Sequence, residues 1–359
     1  MSEQPPVDFQ LACPTPRSDH ERVQMAHGGG GRLMRRLIEE VFVSAFASAS
    51  SGERSERMVL HDSTVLTMES ARLAFTTDSY VVSPLFFPGG DIGKLAVYGT
   101  VNDLAMSGAR PRYLSAGFIL EEGLPLETLR DIVRSMAEAA AEVGVEVVTG
   151  DTKVVDRGKA DGVFINTAGI GAVPEGIDVA PGRVVAGDVL LVSGDLGRHG
   201  MAIMSVREGL QFEAALESDC ASLASLVDEL CALGADLHCL RDLTRGGLAA
   251  AVNEMAVDAN FGVELNEADI PVSEPVSAAC ELLGLDPLYV ANEGRLVAVV
   301  ARRAAEQAMA IMQRHAAAPQ PAIIGTVAPA HPGTVVLKGI LGGERIVDLL
   351  SGEQMPRIC

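Results

Sequence analysis

The sequence predicts a mixed α/β (α+β) fold in two domains, and three observations carry that expectation. The chain has 359 residues, more than one domain of roughly 100–200 residues accounts for. Strand-like and helix-like segments alternate over residues 58–173 and again over 188–350. Between them, residues 174–187 gather Pro and Gly, the mark of a boundary. The expected division is an N-terminal arm over 1–26, a first domain over 27–175, a second over 176–350 and a mobile tail over 351–359. Hydrophobic residues make up 48% and charged residues 21%, ample material for two cores.

Taken in order, residues 1–20 hold Pro5, Pro6, Pro14 and Pro16 without periodicity, which reads as a flexible arm. His27-Gly28-Gly29-Gly30-Gly31 follows. Leu33, Leu37, Val41 and Ala45 then share one side of a helix over 32–47. Residues 72–77 form a strand with Asp78 at its end. Pro88-Gly89-Gly90-Asp91 is a turn, and Asp91 caps a helix over 92–107 that Gly108 and Pro111 end. A strand over 113–120 and an amphipathic helix over 126–142, closed by Gly144, come next. Strands over 145–149 and 162–172 flank Gly150-Asp151-Thr152-Lys153.

The second series opens with a strand over 188–192, helices near 200–209 and 218–233, and a strand over 237–241. Asp242-Leu243-Thr244-Arg245-Gly246-Gly247 leads into a helix through Ala256. A strand near 262–265, a helix near 274–283, strands around Tyr289 and over 295–301, and a helix near 302–314 follow. Strands over 322–327, 334–338 and 345–350 finish the domain. The tail carries Pro356 and no periodicity.

Lys and Arg total 28 against 48 Asp and Glu, a formal net charge of -20. That field repels phosphate backbones and anionic lipid, so neither nucleic-acid nor membrane binding is expected. No apolar run reaches the ~18–20 residues that span a bilayer, and the N-terminus lacks a basic start and apolar core, so no secretory leader is expected. Cys13, Cys220, Cys231, Cys239, Cys280 and Cys359 show no C-x-x-C pairing. Reduced thiols in a cytoplasmic protein are the expectation.

Several constellations bear chemistry. Asp62, Asp78, Asp103 and Asp242 stand at or near element ends. Oxygen ligands of this kind suit Mg²⁺ beside phosphate, although an Asp after a strand is commonly a turn former or cap. Asp103 sits next to an apolar stripe of its helix, where a lone carboxylate needs a cation or donors. The glycines of residues 28–31 allow close backbone approach to an anion before a helix, without the P-loop pattern. They are either a linker or a ligand lid. Gly150–Lys153 is either a solvated hairpin turn or a phosphate contact through Lys153. Asn292-Glu293-Gly294 is either a hairpin turn or the seat of a general base, Glu293. Cys359 is a reactive side chain on a swinging end, and nine residues of tail reach roughly 30 Å. Arg357 favours its thiolate and the α-carboxylate opposes it.

Together these motifs resemble one family, the hydrogenase maturation proteins of HypE type within the PurM-like group of ATP-using enzymes. The resemblance runs from His27 to Cys359. It rests on the glycine run, on residues 75–111, on Gly150–Lys153, on DLTRGGLA over 242–249, on Asn292–Gly294 and on the terminal Pro356-Arg357-Ile358-Cys359. The glycine run reads HGGGG where the family is expected to carry a Ser.

The resemblance implies a PurM-like two-domain fold: an N-terminal domain forming a dimeric sheet or barrel, a C-terminal α/β domain and a flexible tail. It implies a homodimer that uses ATP and Mg²⁺. A carbamoyl group placed on Cys359 by a HypF-like carbamoyltransferase would be dehydrated to a thiocyanate, and a HypC–HypD complex would accept the cyano group for hydrogenase iron. By motif, Asp62, Asp78, Asp103 and Asp242 would hold the metal. Gly28, Gly29, Gly30, Thr77, Asp91, Lys94, Asn102, Asp151 and Thr152 would contact the nucleotide. Lys153 would steady a phosphate or oxyanion, Glu293 would take the carboxamide proton and Cys359 would carry the group.

Rival readings are a selenophosphate synthetase, a thiamine-phosphate kinase and a non-catalytic scaffold. The first would be expected to carry a reactive Cys or selenocysteine in the glycine loop, where residues 27–31 have none.

Overall fold

The computed structural model describes residues 23–43, 61–69, 71–209, 216–350, 355, 358 and 359. Most of the expected arm, Cys13, the end of the 32–47 helix, and Pro356 and Arg357 of the tail lie outside the described residues.

The first domain is one five-stranded sheet with two helices on one face. Its strands are β1 (Thr64–Met68), β2 (Ala71–Tyr80), β5 (Arg110–Glu121), β6 (Glu146–Val155) and β7 (Val163–Ala172), in the order β1-β2-β7-β5-β6. Two-residue strands β3 (Phe86–Phe87) and β4 (Gly90–Asp91) form a small ribbon. Pairing is antiparallel except between β5 and β6. A short α1 (Arg32–Leu37) precedes the sheet. Helix α2 (Ile92–Met106) lies on β2 and β7, and α3 (Leu126–Val143) packs beside it. Thirteen of the residues of α2 are buried, because the second domain covers the side the sheet leaves open. A helix apolar all round has to be enclosed on all sides.

The second domain is a seven-stranded sheet: β8 (Val189–Val192), β9 (Leu237–Asp242), β10 (Gly262–Asn266), β11 (Leu296–Val300), β12 (Ala322–Ala328), β13 (Val335–Lys338) and β14 (Glu344–Val347). The order is β14-β13-β10-β12-β8-β11-β9. Its helices are α4 (Arg198–Glu208), α5 (Ala224–Leu230), α6 (Gly247–Ala259), α7 (Glu274–Leu283) and α8 (Ala305–Arg314). Side chains alternate across a strand, so β8 sends Val189 and Leu191 into the core under α5 and α8, and Leu190 and Val192 into the core under α6. Leu104, Ala105 and Met106 of α2 join the first of these cores, so the two domains share apolar packing.

Four expectations change. Gly150–Lys153 is no turn: β6 runs through it, beside β5, because its β-favouring valines on both sides extend the strand. The helix expected from 218 begins at Ala224. Tyr289 lies in a 3-10 turn, Pro287–Tyr289, so Asn292–Gly294 is a connection into β11 and not a hairpin. The helix after the glycine run turns to π-helical geometry at Ile38–Val43.

Candidate active site

Different elements deliver four carboxylates to the cleft between the domains. Asp78 shares the face of β2 that carries the buried Ala74, Thr76 and Tyr80. Asp103 comes from α2. Thr76 Oγ1 stands 2.8 Å from Asp103 Oδ2 and 2.9 Å from the main-chain oxygen of Asp62, tying β2, α2 and the segment before β1 together. Asp62 Oδ1 pairs with Arg241 Nε at 3.0 Å. Asp242 closes β9 and accepts from Thr244 Oγ1 at 3.3 Å.

The crowding of these groups governs their protonation. Burial, then repulsion from Asp242, Asp78 and Asp62, pushes the Asp103 carboxyl well up. Asp242 is pushed well up by burial and Asp62, with Arg241 opposing. Burial also raises Asp62, against the pull of Arg241. Asp62 Oδ2 and Asp242 Oδ2 are buried without a hydrogen-bond partner, a costly state that a cation relieves. Among the described residues no three His, Cys, Asp or Glu form a ready metal cage. Mg²⁺ needs fewer, since it takes one or two protein carboxylates and completes its shell with phosphate and water.

Two cavities meet at Arg245. One, of about 250 Å³, is bounded by Gly30, Gly31, Asp62, Asp242, Arg245 and Glu254, among others. The other, of about 80 Å³, is bounded by Gly28, Gly29, Ser79, Arg245 and Cys359, among others. The glycine run closes both. Arg245 Nη1 donates to Gly28 O at 3.4 Å, and Nη2 reaches Asp78 Oδ1 at 3.4 Å. The fit is tight: a Cβ on Gly246 would stand 2.6 Å from Ala250 Cβ, and one on Gly30 would stand 2.8 Å from Arg245 O. Gly246 has φ 79°, the left-handed region that glycine enters without strain.

The tail ends inside the second cavity. Val81 N donates to Cys359 O at 3.1 Å, and Ile358 is buried in the core of Tyr80, Ile203 and Ala291. Burial pushes the Cys359 thiol up to about 12; Arg245 pulls it down, and Glu293, Asp78 and Asp242 push it up. Glu293 is buried, with Oε1 unpartnered. Burial and then Asp242, Asp78 and Asp219 push its carboxyl well up, with Arg245 opposing.

The main chain at Glu293 is fixed on both sides. Asn292 Oδ1 accepts from Gly197 N at 2.6 Å and its Nδ2 donates to Leu243 O at 3.0 Å. Asp219 Oδ2 accepts from Glu293 N at 3.2 Å and Gly294 N at 3.0 Å.

Several expected contact residues sit elsewhere. Thr77 and Lys153 face away from Asp78, on the other side of the sheet: Thr77 lies opposite Ala168, which lies opposite Ser115, which lies opposite Thr149. Asp151 and Lys153 share the parity of Thr149 on β6, are largely exposed, and pair with each other at 3.6 Å. Thr152 points to the opposite face, and β6 is the sheet's edge. Asp91 caps α2, accepting from Gly93 N at 2.8 Å and Lys94 N at 3.1 Å, and holds Ser135 Oγ at 2.5 Å. Asn102 ties α2 to the second domain, accepting from Leu223 N at 2.7 Å and donating to Ala221 O at 3.0 Å. The charge of Lys94 is felt at Cys220, where it opposes the upward push of burial on the thiol.

Sequence reasoning gave Arg245, Asn292 and Asp219 no individual role. The first two lie within motifs it quoted; nothing in the local pattern marks Asp219.

Residues 60–173 match the family model described as AIR synthase related protein, N-terminal domain, and residues 185–338 match its C-terminal domain. Carbamoyl dehydratase HypE of Azotobacter vinelandii is 52% identical over 337 residues, 94% of this chain and 97% of that protein. The chain belongs to the HypE family. Among solved structures, HypE in a HypE–HypF complex superposes with a TM-score of 0.81 at 47% identity, covering 88% of this chain and 99% of that one. HypE in complex with ATP gives 0.78 at 45% identity, over 94% and 100%. The expected HypE and PurM-like resemblance and two-domain α/β architecture are borne out.

Proposed function

We propose that this HypE-family chain uses ATP to dehydrate an S-carboxamide on Cys359 to a thiocyanate. The observation that carries the reading is the docked end of the chain: the sulfur lies in a pocket walled by Arg245 and the glycine run, under the influence of Glu293, Asp78 and Asp242.

The chemistry follows from the leaving group. An amide oxygen departs poorly until it is a phosphate ester. In this reading the carboxamide oxygen attacks the γ-phosphorus of ATP, ADP leaves, and one N–H proton is lost. Loss of the second N–H proton then breaks the C–O bond, expels phosphate and forms the C≡N bond. Glu293, whose raised affinity for protons suits a residue that takes one and gives it up again, is the base. Arg245, shared by both cavities, spans from the phosphate side to the sulfur side. Asp62, Asp78, Asp103 and Asp242 would hold Mg²⁺, which neutralises charge on the triphosphate. Gly28, Gly29 and Gly30 close over the nucleotide.

A HypF-like carbamoyltransferase is the donor in this reading, supported by the relative solved with HypF. A HypC–HypD complex is the acceptor that the resemblance implies. The cytoplasm suits the thiols: Cys220, Cys231, Cys239, Cys280 and Cys359 are free. A second copy is assigned to the open face of the first sheet. There Phe75, Ile170 and Tyr113 line up across β2, β7 and β5, all exposed. Asp151 and Lys153, which share that open face, would then serve the partner's cleft, whereas Thr152 on the opposite face would not.

Intact-mass spectrometry after incubation with ATP, carbamoyl phosphate and a HypF-like partner tests the reading. The expected result is a gain of one cyano group on Cys359, with Glu293→Gln stalled at the carboxamide. ATP consumption with no change at Cys359 would sink the proposal, and near-normal cyanylation by Glu293→Gln would remove that residue from it.

A further inference from the structure

His199, at the start of α4, makes a contact that the reading above does not use. Its Nε2 lies 2.5 Å from the main-chain oxygen of Ile358, the residue before the terminal cysteine. A carbonyl oxygen only accepts, so Nε2 carries the hydrogen. Nδ1 is then the bare nitrogen, and Ser218 Oγ, 2.8 Å away, donates to it. Cys220 N donates to that same Ser218 Oγ at 3.0 Å, which leaves the hydroxyl hydrogen free to point at the ring. The imidazole is fully buried. Asp219 Oδ1 accepts from His199 N at 3.0 Å, and the ring meets Phe87 edge-on at 5.4 Å.

The chain Ser218→His199→Ile358 thus presents one fixed donor to the tail. With Val81 N on a main-chain oxygen of Cys359, Ile358 and Cys359 each accept a bond from a rigid element. Burial lowers the basicity of His199, which keeps it the neutral tautomer this geometry needs.

We propose that His199, oriented by Ser218, is a positioning residue that latches the terminal dipeptide in the cleft, so that the sulfur of Cys359 is presented beside Arg245 and Glu293. The inference deepens the dehydratase reading and rests on it for the purpose of docking, but the docking itself is measurable without any chemistry. The tail must leave this seat for a donor enzyme to load the sulfur, so the latch sets the fraction of time the thiol is available outside.

The test is the rate at which iodoacetamide alkylates Cys359 in the full chain, read by mass spectrometry of the C-terminal peptide, with no ATP, carbamoyl donor or partner present. Alkylation proceeds through the undocked tail. His199→Ala removes the donor and is expected to label roughly five- to tenfold faster, the scale of one hydrogen bond lost to a buried acceptor. His199→Gln, which restores an amide donor, is expected to regain most of the protection. Ser218→Ala, which frees the ring's orientation without emptying its seat, is expected to label about two- to threefold faster.

Wild-type labelling in His199→Ala overturns the latch. So does labelling of His199→Gln as fast as His199→Ala, because that pattern means packing against Phe87 and not donation. If His199→Ala does not fold, Ser218→Ala decides alone, and a wild-type rate there overturns the proposal. Failure of the latch leaves cyanylation of Cys359 to be judged separately by intact mass.

Discussion

At Asp103 two demands oppose each other. The carboxylate is pressed between Asp242, Asp78 and Asp62, and without a cation that repulsion weakens the fold. Like charges held together in a desolvated site cost stability that only a ligand returns. Asp103→Asn keeps the acceptor for Thr76 and removes a group that must either add to the repulsion or take up a proton on folding. We expect its unfolding midpoint without nucleotide to rise by about 2–4 °C, the equivalent of roughly 1 kcal/mol, while ATP-dependent cyanylation falls at least tenfold. Calorimetry and turnover on the same preparation check both halves. His61 gives a second prediction, through its pKa, pushed down to about 3 by burial and by Arg241. The folded state disfavours its protonation, so its contribution is fully present above the ordinary histidine value. It is lost as pH falls from about 6.5 toward 3. Near pH 5 the loss is on the order of 2 kcal/mol. Denaturant melts of the wild type and His61→Asn should therefore converge or cross as pH drops from 7 to 5. A constant difference between them would show that His61 titrates normally.

At the scale of elements, the glycine run and the turn before α6 are one structure made from two distant segments. Gly246 at φ 79° is met by Ala250 and Gly30. Gly246→Ala therefore places a Cβ both in a strained conformation and against a neighbour. The expected cost is about 1–3 kcal/mol by denaturant unfolding. ATP affinity, read by titration calorimetry, should fall with it, because the lid loses its seat. The sequence made this element legible in part. The glycines before α1 announced close backbone approach, but not that those before α6 are what they approach, since such a pairing is set by tertiary packing. The parity of β2 was equally hidden. Asp78 and Thr77 are neighbours in one motif, yet a strand sends them to opposite faces. Asp91 and Asn102 sit in the stretch that most resembles the family, and the fold engages both as a cap and a domain tie. Gly150–Lys153 read as a turn because Gly and Asp are turn formers; the valines around it and pairing with β5 override that preference. Asp219 and His199 had no local pattern, because their roles exist only where α4, the segment before α5 and the tail meet.

Across the whole molecule, the first sheet has two unlike faces, and the location of Lys153 depends on which is covered. Helices α2 and α3 pack on one. The other presents Phe75, Tyr113, Ile119 and Ile170 to solvent, together with Thr77, Asp151 and Lys153. An exposed apolar face of this kind invites a partner, and a self-complementary one is the commonest arrangement for a homodimer. If a second copy covers it, the lysine of one chain works in the carboxylate cleft of the other, and the two functions can be separated by mixing. A chain with Lys153→Ala and a chain with Asp78→Asn are each inactive as homodimers. In a mixed dimer one cleft combines the intact Asp78 of the first chain with the intact Lys153 of the second, and the other cleft has lost both. Random exchange makes half the dimers mixed, so cyanylation should return to about a quarter of the wild-type level. Lys153 acting within its own chain leaves every cleft with one defect, and mixing then restores nothing. Exchange measured on differently tagged chains separates that outcome from a failure to mix. Phe75→Glu, which places a charge in the apolar row, should yield monomers by light scattering and abolish the recovery.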